Sequence, residues 1–99
     1  MFEELNKYLE GEGYTMRRGV SYFFDRDEFW NADWLNGHKT LKQRVIFQDR
    51  SYLNEPNWLK IEVLFVGYTE YETFYEGTIK DMEQFKMLYE NMLKLKERW

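Results

Sequence analysis

The stretch "DRDEFWNADWLNGHKT", residues 25–40, gathers the side chains with the most obvious chemistry. It holds the carboxylates Asp25, Asp27, Glu28 and Asp33 and the chain's single histidine, His38. Carboxylates that converge on one point bind hard cations, and a carboxylate beside an imidazole can move protons. The spacing argues against both. No D-x-[DN]-x-[DN]-G run is present, and one histidine without cysteine falls short of the usual zinc ligand sets. His38 sits in "NGHK", a turn signature that places it in solvent. Ser21 and Ser51 lack a nucleophile-elbow context, and "MRRGV" and "VGYTE" contain lone glycines instead of a phosphate-cradling loop. The expectation is a protein without cofactor, metal or catalytic residues. A small enzyme built on Asp25, Asp27 and His38 is the remote alternative.

The same stretch offers a second chemistry. Phe29, Trp30 and Trp34 lie close together beside Asp33, a composition typical of interaction hot spots. The competing reading is a loop that folds these rings over a sheet. A second candidate is "YTEYETFYEG", residues 68–77, which alternates aromatic and acidic side chains. A period of two makes it a strand. Tyr71, Thr73, Tyr75 and Ile79 are then expected on one face, and Glu70, Glu72 and Glu76 on the other, with Phe74 interrupting the glutamates. The partner-binding set predicted from sequence is Phe29, Trp30, Asp33, Trp34, Glu70, Glu72, Phe74 and Glu76. The ordinary fate of such glutamates is a solvated face that pairs across strands with Lys42, Arg44 or Lys60.

Composition sets the bounds. The chain has 99 residues, a net charge of −4, no cysteine and 20% aromatic residues. That length is one domain, residues 1–99. The absence of cysteine excludes disulfides and thiolate metal sites and fits a cytoplasmic setting. No stretch reads as a signal peptide or membrane span. Charge is uneven: residues 61–83 carry six acids against Lys80 alone, and residues 84–99 carry four bases and two acids. An acidic whole disfavours nonspecific binding to nucleic acid or membranes and leaves open binding to a basic protein. A nucleic-acid module using Arg17, Lys42, Arg44 and Lys60 with nearby aromatics is the runner-up.

These residues need elements to hold them. Phe2, Leu5, Tyr8 and Leu9 have helical spacing, which predicts a helix over 2–10 stopped by Gly11. "YTMRRGVSYFF" predicts one strand over 14–24, with Gly19 marking a bulge or a close approach. Asp25 and Glu28 have capping-box spacing for a short helix or structured loop ending near Gly37. Strands are expected at 41–48, 58–68 and 69–79, with a loop around Pro56. Asp81 and Gln84 form a capping box for a final helix carrying Met82, Phe85, Leu88, Tyr89, Met92, Leu95 and Trp99 on its apolar stripe.

The predicted fold class is α+β: a four-stranded, mainly antiparallel sheet with both terminal helices on one face. The inner face is expected to carry Val20, Tyr22, Val45, Phe47, Ile61, Val63, Phe65, Tyr71 and Tyr75. The predicted function is a small acidic protein-binding module without catalysis, in the manner of an inhibitor, an immunity protein or a phage-type accessory protein. An acidic mimic of nucleic acid is a specific form of it. Whether the chain pairs with itself as a homodimer is left open by the sequence.

Overall fold

The computed structural model describes residues 1–26, 40–65 and 68–98. The elements run α1 (Phe2–Gly11), β1 (Thr15–Arg18), β2 (Tyr22–Arg26), β3 (Thr40–Arg50), a 3-10 turn (Ser51–Leu53), β4 (Glu55–Phe65), β5 (Glu72–Thr78) and α2 (Met82–Arg98). The strands form one antiparallel sheet in the order β1-β2-β3-β4-β5. The α+β class is as expected, but the sheet has five strands, not four.

The extra strand comes from the stretch 14–24. It is a hairpin, with Arg18 opposite Tyr22 and Met16 opposite Phe24. The turn at 19–21 is held by the Gly19 N–H donating to the Ser21 carbonyl. Val20 sits at its tip, 98% exposed, instead of on the inner face. Asp25 lies in β2 opposite Arg44 and so does not cap a helix. The rest of the expected short helix, including Phe29, Trp30, Asp33, Trp34 and His38, falls outside the described residues.

Alternation along the strands makes two faces. Phe24, Val45, Ile61 and Tyr75 are consecutive cross-strand partners on the apolar face. Shifted by one residue, Arg17, Phe23, Ile46, Lys60 and Glu76 form a row on the opposite face, as do Thr15, Asp25, Arg44, Glu62 and Thr73. The buried cluster joins Phe24, Val45, Phe47, Leu59, Ile61 and Val63 of the sheet to Leu5 and Leu9 of α1 and Phe85, Tyr89 and Met92 of α2. The Phe2 ring meets Tyr22, Phe24 and Phe47 at centroid distances of 4.1, 6.2 and 5.6 Å. Tyr8 meets Phe85 and Tyr89 edge-on at 6.0 and 5.8 Å.

Strand β5 departs from the expected alternation. Ile61 pairs with Tyr75, but Glu62 pairs with Thr73, so Phe74 is an inserted residue. A bulge of this kind reverses which face each later residue takes. Glu76 and Thr73 consequently share the charged face, Glu72 stands opposite the core residue Val63, and Phe74 packs on the core. The glutamates therefore do not share one face. Tyr71 is likewise not an inner residue: its ring lies 4.3 Å from the Arg44 guanidinium on the charged side. Pro56 belongs to β4, near the register shift where it lacks a regular partner, a place that tolerates a missing N–H.

Both helices end on local chemistry. For α2 the Gln84 N–H donates to Asp81 Oδ1 at 2.9 Å, and Gln84 Oε1 accepts from the Lys80 N–H at 2.6 Å. This is the capping box read from sequence, reaching back one residue further. For α1 the stop is Gly13, not Gly11. Gly13 has φ +94, and its N–H donates to the Glu10 carbonyl while the Tyr14 N–H donates to Leu9. That is a Schellman closure, with Tyr14 and Leu9 both buried behind it.

Two expected outcomes follow for a denaturant melt. Phe85→Ala removes a fully buried ring and costs about 3–5 kcal/mol. A loss below about 1 kcal/mol would place that stripe outside the core. Gly13→Ala costs about 1–2 kcal/mol from backbone strain alone. An added Cβ there meets only Arg26 Cδ at an ordinary 3.7 Å, so crowding does not contribute.

Candidate functional site

The charged face is organised around Arg44. Its Nε donates to Asp25 Oδ1 at 2.7 Å, and its Nη1 lies 3.7 Å from Glu62 Oε1. Asp25 also stands 3.9 Å from Arg17, and Lys60 bridges Glu62 at 3.4 Å and Glu76 at 3.6 Å. Charge thus alternates across the strands from Arg17 to Glu76. Burial lowers the pKa of Arg44, but the hydrogen bond and charge of Asp25, with Tyr71 and Glu62, outweigh it and leave the guanidinium above its ordinary value. Glu62 is only 6% exposed, which a carboxylate tolerates because two cations neutralise it.

Aromatic rings lie beside these cations. Arg44 sits between Tyr71 at 4.3 Å and Phe23 at 5.7 Å, Arg17 lies 4.7 Å from Phe23, and Arg50 lies 3.7 Å from Trp58. Each contact of this kind contributes about 0.5–2 kcal/mol. The face that sequence offered for nucleic acid is therefore neutralised from within at Arg44 and Lys60, whereas exposed Arg17 only reaches Asp25 at 3.9 Å. Lys42 makes no ion pair among the described residues.

The sequence candidates divide. Glu76 is tied to Lys60. Glu70 and Glu72 are exposed and make no ion pair among the described residues. Phe74 supports the core, so it no longer marks a wet apolar spot among the glutamates. Phe29, Trp30, Asp33 and Trp34 lie outside the described residues, as do Asp27 and His38. Asp25, proposed for catalysis in the alternative reading, is held by Arg44. No group of three or more histidine, cysteine, aspartate or glutamate side chains is placed to hold a metal among the described residues. No helix there is long and apolar enough to cross a membrane.

Topology adds what spacing did not. Arg26 pairs with Gln43, Thr40 with Phe65, and Val63 with Glu72. The chain therefore leaves β2, enters β3, leaves β4 and enters β5 at one end of the sheet. Segments 27–39 and 66–71, which carry most of the sequence candidates, are both rooted there. Tyr68, Thr69 and Glu70 at that end are exposed. The opposite end carries exposed Val20, which the sequence reading had placed on the inner face, and exposed Tyr52 and Leu53, which it passed over, on its turns. Their signal was large apolar side chains beside Gly19 and Asn54, inside turns where polar residues are the norm.

Arg44→Ala should destabilise the fold by roughly 2–3 kcal/mol, because it strands the carboxylates of Asp25 and Glu62. A double-mutant cycle with Asp25→Asn should give a coupling above about 1 kcal/mol. A coupling near zero would mean that the pair is screened by solvent.

The chain matches no protein-family model, no curated protein and no solved structure in the comparisons made.

Proposed function

We propose that the protein is a small, non-catalytic protein-binding module that engages a basic partner through the acidic, aromatic end of its sheet. The observation that carries this reading is the shared root of segments 27–39 and 66–71. Together with Glu72 they supply Asp27, Glu28, Asp33, Glu70 and Glu72 against Lys39, along with Phe29, Trp30, Trp34, Tyr68 and Tyr71. Connections on a rigid sheet are where binding residues concentrate, and aromatic anchors ringed by charge are the composition of hot spots. A cationic cleft that otherwise receives nucleic acid is the kind of surface such an end would block. The same reading places both terminal helices on the apolar face. The Phe2 ring contacts and the buried positions of Phe85 and Met92 support that placement.

The test is affinity capture from the native host, followed by binding measurements with the protein recovered. Wild type should retain a basic protein. Glu70→Lys with Glu72→Lys should weaken it at least tenfold and slow association, more so at low salt. Trp30→Ala with Trp34→Ala should do the same through the dissociation rate. The glutamate variant should melt within about 0.5 kcal/mol of wild type, because both side chains are exposed. Undiminished affinity in both variants would overturn the reading.

A further inference from the structure

We infer that the free edge of β1 is a second binding site, which takes an extended acidic segment of a protein partner as a sixth strand. Among the described residues β1 pairs only with β2, so its other side presents unpaired backbone N–H and C=O groups. All four of its residues are exposed. A groove of about 430 Å³ runs beside it, lined by Asn6 and Glu10 of α1 and by Tyr14, Thr15 and Met16. An edge strand facing a helix across a groove is the geometry in which peptides add to a sheet.

The side chains specify the occupant. Arg17 is exposed, and its one carboxylate neighbour, Asp25, stands 3.9 Å away and is already held at 2.7 Å by Arg44. Arg18 donates to the Tyr22 hydroxyl at 2.9 Å and makes no ion pair among the described residues. Arg44 and Arg50, by contrast, are mostly buried beside carboxylates. The β1 edge thus carries two cations without a committed counter-charge. Thr15 and Arg17 point to the charged face, and Met16, opposite Phe24, to the apolar one. An incoming strand would therefore set a carboxylate beside Arg17 and an apolar side chain beside Met16, which is 43% exposed. Antiparallel pairing of β1 with another β1 would bring arginines together, which disfavours a second copy by this edge. The site is separate from the acidic end and does not depend on that proposal.

The experiment uses the full chain and capped eight-residue peptides of alternating Glu and Val, with Lys/Val and N-methylated Glu/Val controls. Nuclear magnetic resonance titration and amide hydrogen exchange are read together. The Glu/Val peptide should bind, and β1 amides should gain at least tenfold exchange protection. The Lys/Val peptide should not bind, and N-methylation, which blocks strand pairing without altering the protein, should abolish binding. Arg17→Glu with Arg18→Glu should weaken the Glu/Val peptide at least tenfold. The proposal is overturned by absent binding at millimolar peptide, by binding that survives N-methylation, or by unchanged β1 exchange. It is also overturned if short single-stranded DNA competes more tightly than the peptide, which would assign the arginines to phosphate. Sedimentation showing a dimer that Arg17→Glu with Arg18→Glu dissolves would assign the edge to a second copy.

Discussion

The sheet's register is fixed from both sides by β3, and the Arg44 guanidinium is the stricter of the two constraints. Its neighbours Gln43 and Val45 are buried on the apolar face. A slip of one residue in β3 would turn Arg44 into the apolar core and expose Val45. In the observed register it meets Asp25 from β2 and Glu62 from β4 in a single row. The charges on this face are then mutually dependent. Glu62 is buried because Arg44 and Lys60 neutralise it, and Glu76 is held by the same lysine. Replacing the whole network by apolar groups could leave stability unchanged, whereas removing one member leaves a buried charge without its partner.

A related polar constraint joins α1 to the sheet. Gln43 is buried, and its Oε1 accepts from Arg26 Nε and Nη2 at 2.9 and 2.5 Å and from the Tyr14 hydroxyl at 3.5 Å. Arg26 also donates to the Glu12 carbonyl at 2.7 Å, at the end of α1, and lies 4.6 Å from the Tyr14 ring. One guanidinium therefore finishes the helix and meets an amide in the core. Arg26 directly precedes segment 27–39 in the chain, so the root of that segment is among the more firmly held points of the sheet.

The sequence disclosed the elements whose signals are local. The α2 stripe from Met82 to Met92 and its Asp81–Gln84 cap involve residues within a few turns of one another, and they appear where the spacing puts them. Pairing signals are another matter. Residues 14–24 alternate without a break whether they form one strand or a hairpin, because Met16 opposes Phe24 and Arg18 opposes Tyr22, all even-numbered positions. A three-residue turn preserves the parity, so periodicity cannot reveal it. In β5 the fault is the reverse. The inserted Phe74 breaks parity, so counting by twos that is right for Tyr75 and Glu76 assigns the wrong face to Tyr71, Glu72 and Thr73 before it. Phe74 among the glutamates was the trace of that bulge, and it was legible as an oddity but not as a bulge without knowledge of what Ile61 and Glu62 pair with. The candidate residues 29–34 were visible only as composition, since nothing local ties them to a face. That Glu70 and Glu72 share an end of the sheet with the root of that segment is a property of strand order, which spacing does not encode.

Charge polarity is what the two proposed surfaces add to this frame. A net charge of −4 describes no particular place on the molecule. The Arg44 face neutralises itself, so its many ionic groups project little field beyond it. Among the described residues, the charge least committed to a partner is left at Glu70 and Glu72 at one end and at Arg17 and Arg18 along one edge. Surfaces of opposite sign on one small domain draw different partners, and each repels the other's. On the two proposals, such a chain would hold an acidic strand at its edge while its end docked on a cationic protein, and the two could belong to one molecule. Simultaneous engagement would then raise the overall affinity through effective concentration without any new contact, provided that partner's segment can span from the end of the sheet to its first strand.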